Sequence, residues 1–115
     1  MYSRTGQQLW RGIEVNFRIS IIIPVFNDTE LLMYTLSRLQ YVREAGHEII
    51  VVDGGSTEFP RARISRFADV LVDSQKGRGI QMNAGAKIAS GELFIFLHAD
   101  TILPGMELGK NLTSD

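Results

Sequence analysis

The sequence lacks cysteine altogether and has no apolar run long enough to cross a membrane. Without cysteine, the chain has no disulfide bond, thiolate zinc site or thiol nucleophile, which fits a reducing compartment. Its longest apolar runs, ISIIIPVF (residues 19–26) and LFIFL (residues 93–97), are much shorter than a membrane-spanning helix. No charged stretch followed by a long apolar segment opens the chain. We therefore expect a soluble, cytoplasmic protein without a transmembrane segment.

Charge of one sign is not in excess either. Twelve basic and thirteen acidic residues give a formal net charge of −1, so we expect no broad positive surface and no nucleic-acid partner. With 44% hydrophobic side chains and only three prolines, 115 residues suit one small globular domain. Residues 1–17 show no sustained hydrophobic period and are expected to be an N-terminal arm, followed by one domain over residues 18–115.

Strand and helix patterns alternate along that domain. Continuous apolar or β-branched runs predict strands at residues 18–26, 47–53, 69–73 and 92–98. Helical spacing predicts helices at about residues 28–45, 60–67 and 79–89. Asn27 and Glu30 have the spacing of a capping box at the start of the first helix.

The packing of two elements is also predictable from these patterns. Ile80, Ala84 and Ile88 are spaced to form the face of the last helix that packs on the sheet. Phe94 and Phe96 lie in a predicted buried strand and are assigned to the core.

The alternation predicts an α/β fold, a three-layer, Rossmann-like domain with a mainly parallel sheet of about four strands. In such sheets, ligands bind at the carboxyl ends of the strands, where the strand order reverses. The segments after the predicted strands are polar or rich in glycine: PVFND (24–28), DGGS (53–56), KGRG (76–79) and HAD (98–100). We expect these segments to converge on one binding edge.

Asp53 follows four apolar residues and precedes two glycines, Gly54 being the first. Glycine permits close approach of the backbone to a ligand, and a carboxylate there suits a nucleobase imide or a ribose hydroxyl. Alternatively, Asp53 caps the segment that follows it. Asn27 also has two interpretations: a helix cap, which is favoured, or part of a base pocket with residues 24–26.

Lys76 and Arg78 lie just before or within the first turn of the last predicted helix. The helix macrodipole disfavours cations at this end, and a bound anion would reverse that effect. Together with free backbone amides at the helix start, the two side chains suit a diphosphate. The alternative is a pair of solvated loop charges.

His98 and Asp100 stand two positions apart at the end of the fourth predicted strand. In a continuing strand, such residues project to one face about 6 to 7 Å apart, near enough to share a divalent cation or its phosphate ligands. Imidazole and carboxylate together suit Mn²⁺ better than Mg²⁺. The alternative is a polar turn at the strand end. The other histidine, His47, has no carboxylate partner nearby in the sequence and is assigned to the surface.

In combination, four motifs resemble the amino-terminal half of a family 2 glycosyltransferase with the GT-A fold. They are SIIIPVFND (20–28), EIIVVDGGST (48–57), KGRGIQMNAGAKIASGE (76–92) and LFIFLHADT (93–101), and the resemblance runs from Ile19 to Gly105. GRGIQMNAGA and FLHADT further resemble the arsenosugar-biosynthesis-type bacterial subgroup. The resemblance implies transfer of a sugar from a nucleoside-diphosphate sugar to an unknown acceptor, inverting in the complete enzyme.

The resemblance also implies roles for individual residues. The base and ribose of the nucleotide would be bordered by Pro24, Val25, Phe26 and Asn27. Asp53 and Gly54 would lie at the base. The ribose and diphosphate would be bordered by Arg78, Asn83 and Gly85. Asp100 would bind a divalent metal, Mn²⁺ or Mg²⁺. His98 replaces the first aspartate of the usual DxD motif, which removes a negative charge. No residue matches the general base of such enzymes.

The sequence is also compatible with two other functions. A four-stranded parallel sheet with an uncovered edge strand exposes unpaired backbone groups and apolar surface, which predicts a homo-oligomer. The chain would then be a catalytically inactive nucleotide-binding or assembly module. A nucleotidyltransferase shares an α/β donor site but usually has a glycine-rich loop with Lys or Arg directly after its first strand. PVFND is not such a loop.

Overall fold

The structure is a computed structural model that describes the strand backbone of residues 7–10 and 13–16 and the whole of residues 17–99. In chain order, the elements are β1 (Gln7–Trp10), β2 (Ile13–Asn16), β3 (Ile19–Val25), α1 (Thr29–Arg38), α2 (Gln40–Glu44), β4 (Glu48–Asp53), α3 (Arg61–Ser65), β5 (Val70–Asp73), α4 (Arg78–Ile88) and β6 (Leu93–Phe96).

Strands β3 to β6 form one sheet, in the order β5-β4-β3-β6, and all neighbouring strands are parallel. The chain proceeds outward from β3 through β4 to β5 and then crosses back to place β6 on the other side of β3. The strand order therefore reverses between β3 and β6, where a crevice is expected beyond the carboxyl ends. The predicted α/β fold with a parallel sheet of about four strands is confirmed.

Helices cover both faces of this sheet. On one face, side chains of α1, α2 and α3 pack with inward residues of β3 and β4; the core there includes Ile21, Ile23, Leu32, Leu36, Ile49, Val51 and Ile64. On the other face, alanines of the α4 segment pack against Ile22, Ile50 and Val52. Because β3 and β4 are buried on both faces, their sequences are continuous apolar runs.

The face of α4 that packs on the sheet agrees with the prediction at Ala84 but differs from it at the two isoleucines. Ile80 and Ile88 are 48% and 43% exposed, whereas Gln81 and Gly85 are buried. A Cβ added at Gly85 would lie 2.5 Å from a methyl carbon of Ile22. At Gly85 the helix backbone therefore packs directly against the sheet, in a space that no larger side chain would fit.

The predicted first helix consists of two helices, α1 and α2, that meet at Leu39. The Leu39 N–H donates to the Leu36 carbonyl at 3.0 Å, a three-residue step that tightens the chain there. The predicted cap by Asn27 is wrong. Asn27 has a φ of 64° and lies outside the helix, and the N-cap position is Asp28, whose side chain makes no capping bond.

Strand β6 lies at the edge of the sheet, and its side chains are exposed within the described part of the chain. Phe94 and Phe96, assigned to the core from the sequence, are 43% and 41% exposed. An apolar run of four residues has the same local pattern in a central strand and in an edge strand, so the pattern alone did not distinguish them.

His47 is buried rather than on the surface. Its Nδ1 atom accepts a hydrogen bond from the backbone N–H of Ile19 at 3.0 Å. Burial, and secondly the charge of Arg18, lower the pKa of His47 below its ordinary value. The imidazole thus joins the starts of β3 and β4 in its neutral form.

A second buried polar group lies beside it at the amino end of the sheet. The Glu48 carboxylate accepts hydrogen bonds from the Ser20 hydroxyl at 2.5 Å and from the Ser90 N–H at 2.6 Å. Burial acts to raise the pKa of Glu48, but these hydrogen bonds and the charge of Arg18 outweigh it, so the net shift is downward.

Residues 7–16 belong to the segment expected to be an arm, yet their described backbone forms an antiparallel pair, with Trp10 opposite Ile13. The division of the chain at residue 17 stays a prediction. No helix in the described ranges is long and apolar enough to cross a membrane.

Candidate functional site

A pocket of about 320 Å³ lies beyond the carboxyl ends of β3 and β6 and against the start of α4. This is the position where the strand order reverses. Segments from all three elements contribute to its wall: Pro24, Val25, Phe26, Lys76, Gly77, Arg78, Gln81, Met82, Phe96, Leu97 and His98. Three of the four segments predicted to converge therefore meet at this pocket.

The charged side chains of Lys76 and Arg78 line the pocket, and no described carboxylate does. Neither cation forms an ion pair with another residue in the range 17–99. The Lys76 ammonium nitrogen lies 4.3 Å from the centre of the Phe26 ring. The pocket therefore combines positive charge with an aromatic surface, which suits an anionic ligand that carries a flat ring.

The start of α4 adds backbone donors to this positive charge. Its N-cap is Gly77, with a φ of 146°, and no side chain caps the helix. Backbone N–H groups in the first turn of a helix have no intrahelical partner and attract anions. The structure thus brings Lys76, Arg78 and the helix start together as expected, and diphosphate binding stays a prediction.

Gln81 is a functional-site residue that sequence reasoning missed. It is 4% exposed, and its Nε2 donates to the carbonyls of Val25 and Val52, both at 2.9 Å. Its Oε1 accepts from the Gly77 N–H at 3.2 Å. One side chain thereby joins the ends of β3 and β4 to the start of α4. Its position four residues before Gly85, on the same helical face, is the sequence signal that marks it as buried.

The group that lies close to Gly54 is the Gln81 side chain, and the close approach of a ligand there stays a prediction. A Cβ at Gly54 would lie 2.9 Å from the Gln81 carboxamide. The Gly54 N–H also donates to the Val25 carbonyl at 2.9 Å. Gly54 therefore fixes the back of the site and does not itself line the pocket.

Asp53 is buried and caps the turn after β4, the alternative interpretation of this residue. Its carboxylate accepts from the Ser56 hydroxyl at 2.5 Å and from the Ser56 N–H at 3.1 Å. The Ser56 oxygen in turn accepts from the Asn27 N–H at 2.7 Å, and Asn27 Oδ1 accepts from the Thr57 N–H at 2.8 Å. Asn27 and Asp53 thus hold together the loops after β3 and β4 rather than lining the pocket.

Two more predicted residues lie away from the pocket wall. Asn83 is exposed on α4, and Gly85 is buried in the contact between α4 and the sheet. Contacts of either residue with a ligand stay a prediction.

His98 is exposed and lines the pocket, but the strand geometry assumed for it is wrong. β6 ends at Phe96. The Leu97 N–H still donates to Ile22 at 3.0 Å, and the carbonyl of Ala99 then accepts from the Thr35 hydroxyl. Asp100 lies outside the described residues. Within residues 17–99, no group of three or more His, Cys, Asp or Glu side chains is placed to hold a metal ion.

Comparison with known proteins gives a consistent result. The model of a family described as Glycosyl transferase family 2 matches residues 20–113. An uncharacterized glycosyltransferase from Nostoc sp. is 32% identical over 92 residues, which cover 74% of this chain and 29% of that protein. Glycosyltransferase AglE from Haloferax volcanii is 30% identical over 91 residues, which cover 71% of this chain and 30% of that protein. The chain thus spans less than a third of these relatives.

Solved structures of GT-A glycosyltransferases share the fold. The mannosyltransferase PcManGT from Pyrobaculum calidifontis, in complex with GDP-Man and Mn²⁺, is 25% identical with a TM-score of 0.65, over 79% of this chain and 30% of that one. Glucosyl-3-phosphoglycerate synthase from Mycobacterium tuberculosis is 23% identical with a TM-score of 0.66, and the match covers 84% of this chain and 40% of that one.

Proposed function

This chain belongs to glycosyl transferase family 2, and we propose that its pocket binds the nucleotide of a nucleoside-diphosphate sugar, as the donor-binding part of a glycosyltransferase. The observation that carries the proposal is the meeting of two cations, an uncapped helix start and an aromatic ring where the strand order reverses. A nucleoside diphosphate has the matching chemistry, a flat base joined to an anionic group.

The pocket offers each part of such a ligand a suitable surface. Pro24, Val25 and Phe26 provide an apolar wall for the base, while Arg78 and Lys76 provide positive charge for the diphosphate. Asn27 and Asp53 stabilise the loops beside this wall. The expected contact between Asp53 and the base stays a prediction, and it would require the carboxylate to leave Ser56. The mannosyltransferase PcManGT, which shares the fold, was solved with GDP-Man.

In the complete enzyme, the sugar would pass to an acceptor hydroxyl with inversion, as the nucleoside diphosphate leaves. Negative charge then grows on the leaving diphosphate, and fixed positive groups stabilise it most at that stage. In this chain, the Arg78 guanidinium and the first-turn amides of α4 would supply that stabilisation. The acceptor and the general base are not assigned to any described residue.

A divalent cation would supply further positive charge at the leaving diphosphate. His98 lines the pocket, and an imidazole is a fitting ligand for Mn²⁺ and less so for Mg²⁺. We propose His98 and Asp100 as its protein ligands. Mn²⁺-dependent UDP or GDP binding that disappears in Asp100→Ala would support this. Equal binding with Mn²⁺ and with a chelator would contradict it.

Calorimetric titration of the full chain with UDP and with GDP tests the donor site. We expect one of the two nucleotides to bind, and Arg78→Met to weaken that binding at least about tenfold, because a charge-assisted contact is lost. Arg66→Met is the matched control, since Arg66 is exposed and does not line the pocket. Failure of both nucleotides to bind, or equal effects of the two variants, would contradict the proposed function.

A second candidate, self-association through β6, is favoured by the exposure of this strand. Leu93, Phe94, Ile95 and Phe96 are each more than a third exposed, on both faces of the strand. Exposed apolar edge strands tend to pair with another chain. We propose that a second copy of the chain covers this edge, which is the basis of the assembly-module alternative.

Sedimentation velocity over a range of protein concentrations tests the oligomer. Leu93→Lys should dissociate it, because Leu93 is 52% exposed on β6, whereas Leu31→Lys changes a similarly exposed leucine on α1 and should not. A wild-type chain that stays monomeric at every concentration would rule out this association.

Two narrower inferences stay predictions. Membership of the arsenosugar-biosynthesis-type subgroup depends on GRGIQMNAGA (77–86) and FLHADT (96–101). A cytoplasmic location depends on sequence composition alone.

A further inference from the structure

We infer that Lys76 is a ligand-binding residue that couples base binding to diphosphate binding. Its ammonium covers the Phe26 ring in the structure, has to leave that ring when a base stacks there, and then pairs with the diphosphate. This inference rests on the proposed function, because it concerns how the same pocket receives a nucleotide.

The starting observation is the contact between Lys76 and Phe26. The ammonium nitrogen lies 4.3 Å from the ring centre, well within the range of a cation–π interaction. Both side chains line the pocket. A base stacked on Phe26 would place its own ring centre about 4.5 to 7 Å from that of Phe26. The ammonium therefore occupies space that a base entering the pocket would use.

The alternative position for the ammonium is close by. Lys76 directly precedes Gly77, the N-cap of α4, and Arg78 begins the helix. A lysine side chain moves its charge by rotation about its four-carbon stem, without a change in the backbone. Because Lys76 forms no ion pair within residues 17–99, the contact with Phe26 is the interaction that such a movement would break.

The exchange has opposite consequences for two kinds of ligand. A nucleoside has to displace the ammonium and offers it no anion in return. A nucleoside diphosphate displaces it and provides a new partner. Removing the Lys76 ammonium should therefore strengthen nucleoside binding and weaken nucleoside-diphosphate binding. If Lys76 only attracted the diphosphate through its charge, its removal would weaken diphosphate binding and leave nucleoside binding unchanged.

The test is an NMR titration of the full chain with uridine, guanosine, UDP and GDP. In Lys76→Ala, we expect the nucleoside of the preferred base to bind about 2- to 5-fold tighter, the range of an exposed cation–π contact. The matching diphosphate should bind about tenfold weaker. Lys76→Arg keeps both interactions and should resemble the wild type. Lys87→Ala removes the same charge from an exposed position on α4 and should change neither affinity.

The outcomes separate this inference from the proposed function. If the wild type binds a nucleoside diphosphate and Lys76→Ala leaves nucleoside binding unchanged or weaker, the coupling is overturned and the donor site stands. Equal nucleoside and diphosphate affinities in Lys76→Ala and Lys87→Ala would likewise overturn the coupling and leave the donor site standing. If the wild type binds neither diphosphate, the proposed function and this inference both fail.

Discussion

The side-chain amide of Gln81 donates a hydrogen bond at 2.9 Å to the backbone carbonyl of Val25, the last residue of β3. Through the same nitrogen Gln81 reaches the Val52 carbonyl, and through its oxygen the Gly77 N–H. The pocket wall is thereby tied to the helix start by one buried carboxamide. Because an apolar side chain at this position could make none of these three hydrogen bonds, the connection between the helix start and the two strand ends depends on Gln81.

Gln81→Met should destabilise the fold by about 1 to 3 kcal/mol, because it removes two buried hydrogen bonds from the carboxamide to the Val25 and Val52 carbonyls. Urea unfolding should show a lower midpoint with an unchanged slope. Asn83→Met places the same side chain at an exposed position of α4 and should cost little. Equal midpoints for the two variants would show that the Gln81 bonds do not contribute to stability.

Gly85→Ala should be destabilising although alanine favours helices. The added Cβ would lie 2.5 Å and 3.1 Å from methyl carbons of Ile22 and Val52, and overpacking of this kind costs about 1 to 3 kcal/mol. Gly79→Ala is the control, because no atom outside its own helix neighbourhood lies within 4 Å of the added Cβ. That change should stabilise by up to about 1 kcal/mol. Thermal unfolding that orders the two variants the other way would contradict this packing.

Asn27→Ala should destabilise more than Asn27→Gly. Both changes remove the bond to the Thr57 N–H, worth about 1 kcal/mol. Only alanine additionally strains the backbone at the observed φ of 64°, by about 1 to 2 kcal/mol. Urea unfolding of the two variants measures this difference. Equal free energies of unfolding would mean that the left-handed conformation of Asn27 is not required.

The stability of the fold should fall in acid partly through Glu48. The pKa of Glu48 is lowered in the folded state below its ordinary value of 4.5. Its contribution is therefore fully present above pH 4.5 and is lost as the pH falls through the folded-state value. Unfolding free energies measured between pH 7 and pH 3 should show this loss.

Ser20→Ala tests that assignment, because it removes the 2.5 Å hydrogen bond to the Glu48 carboxylate. We expect a cost of about 1.5 to 3 kcal/mol at pH 7, shrinking as the pH falls below 4.5. Ser37→Ala alters an exposed hydroxyl that bonds only within α1 and should cost little at any pH. A cost of Ser20→Ala that is constant with pH would exclude the charged form of Glu48 as its partner.

The sequence by itself determined the layers of the fold and the edge where the pocket lies. Hydrophobic period is a local property, so the continuous runs of β3 and β4 identify buried parallel strands without knowledge of their neighbours. The polar and glycine-rich segments after the strands then had to converge, because parallel strands end at one edge. The motifs from Ser20 to Asp100 were sufficient to indicate the family.

The tertiary structure alone decided which residues serve the pocket and which support it. Asp53 and Asn27 bond to the Ser56–Thr57 turn, Gln81 joins three segments, and β6 lies at an edge. Each of these facts depends on contacts between residues far apart in the chain. Local sequence specifies which side chain is present and in which element, but the partner of a buried polar group is fixed only when distant segments pack together.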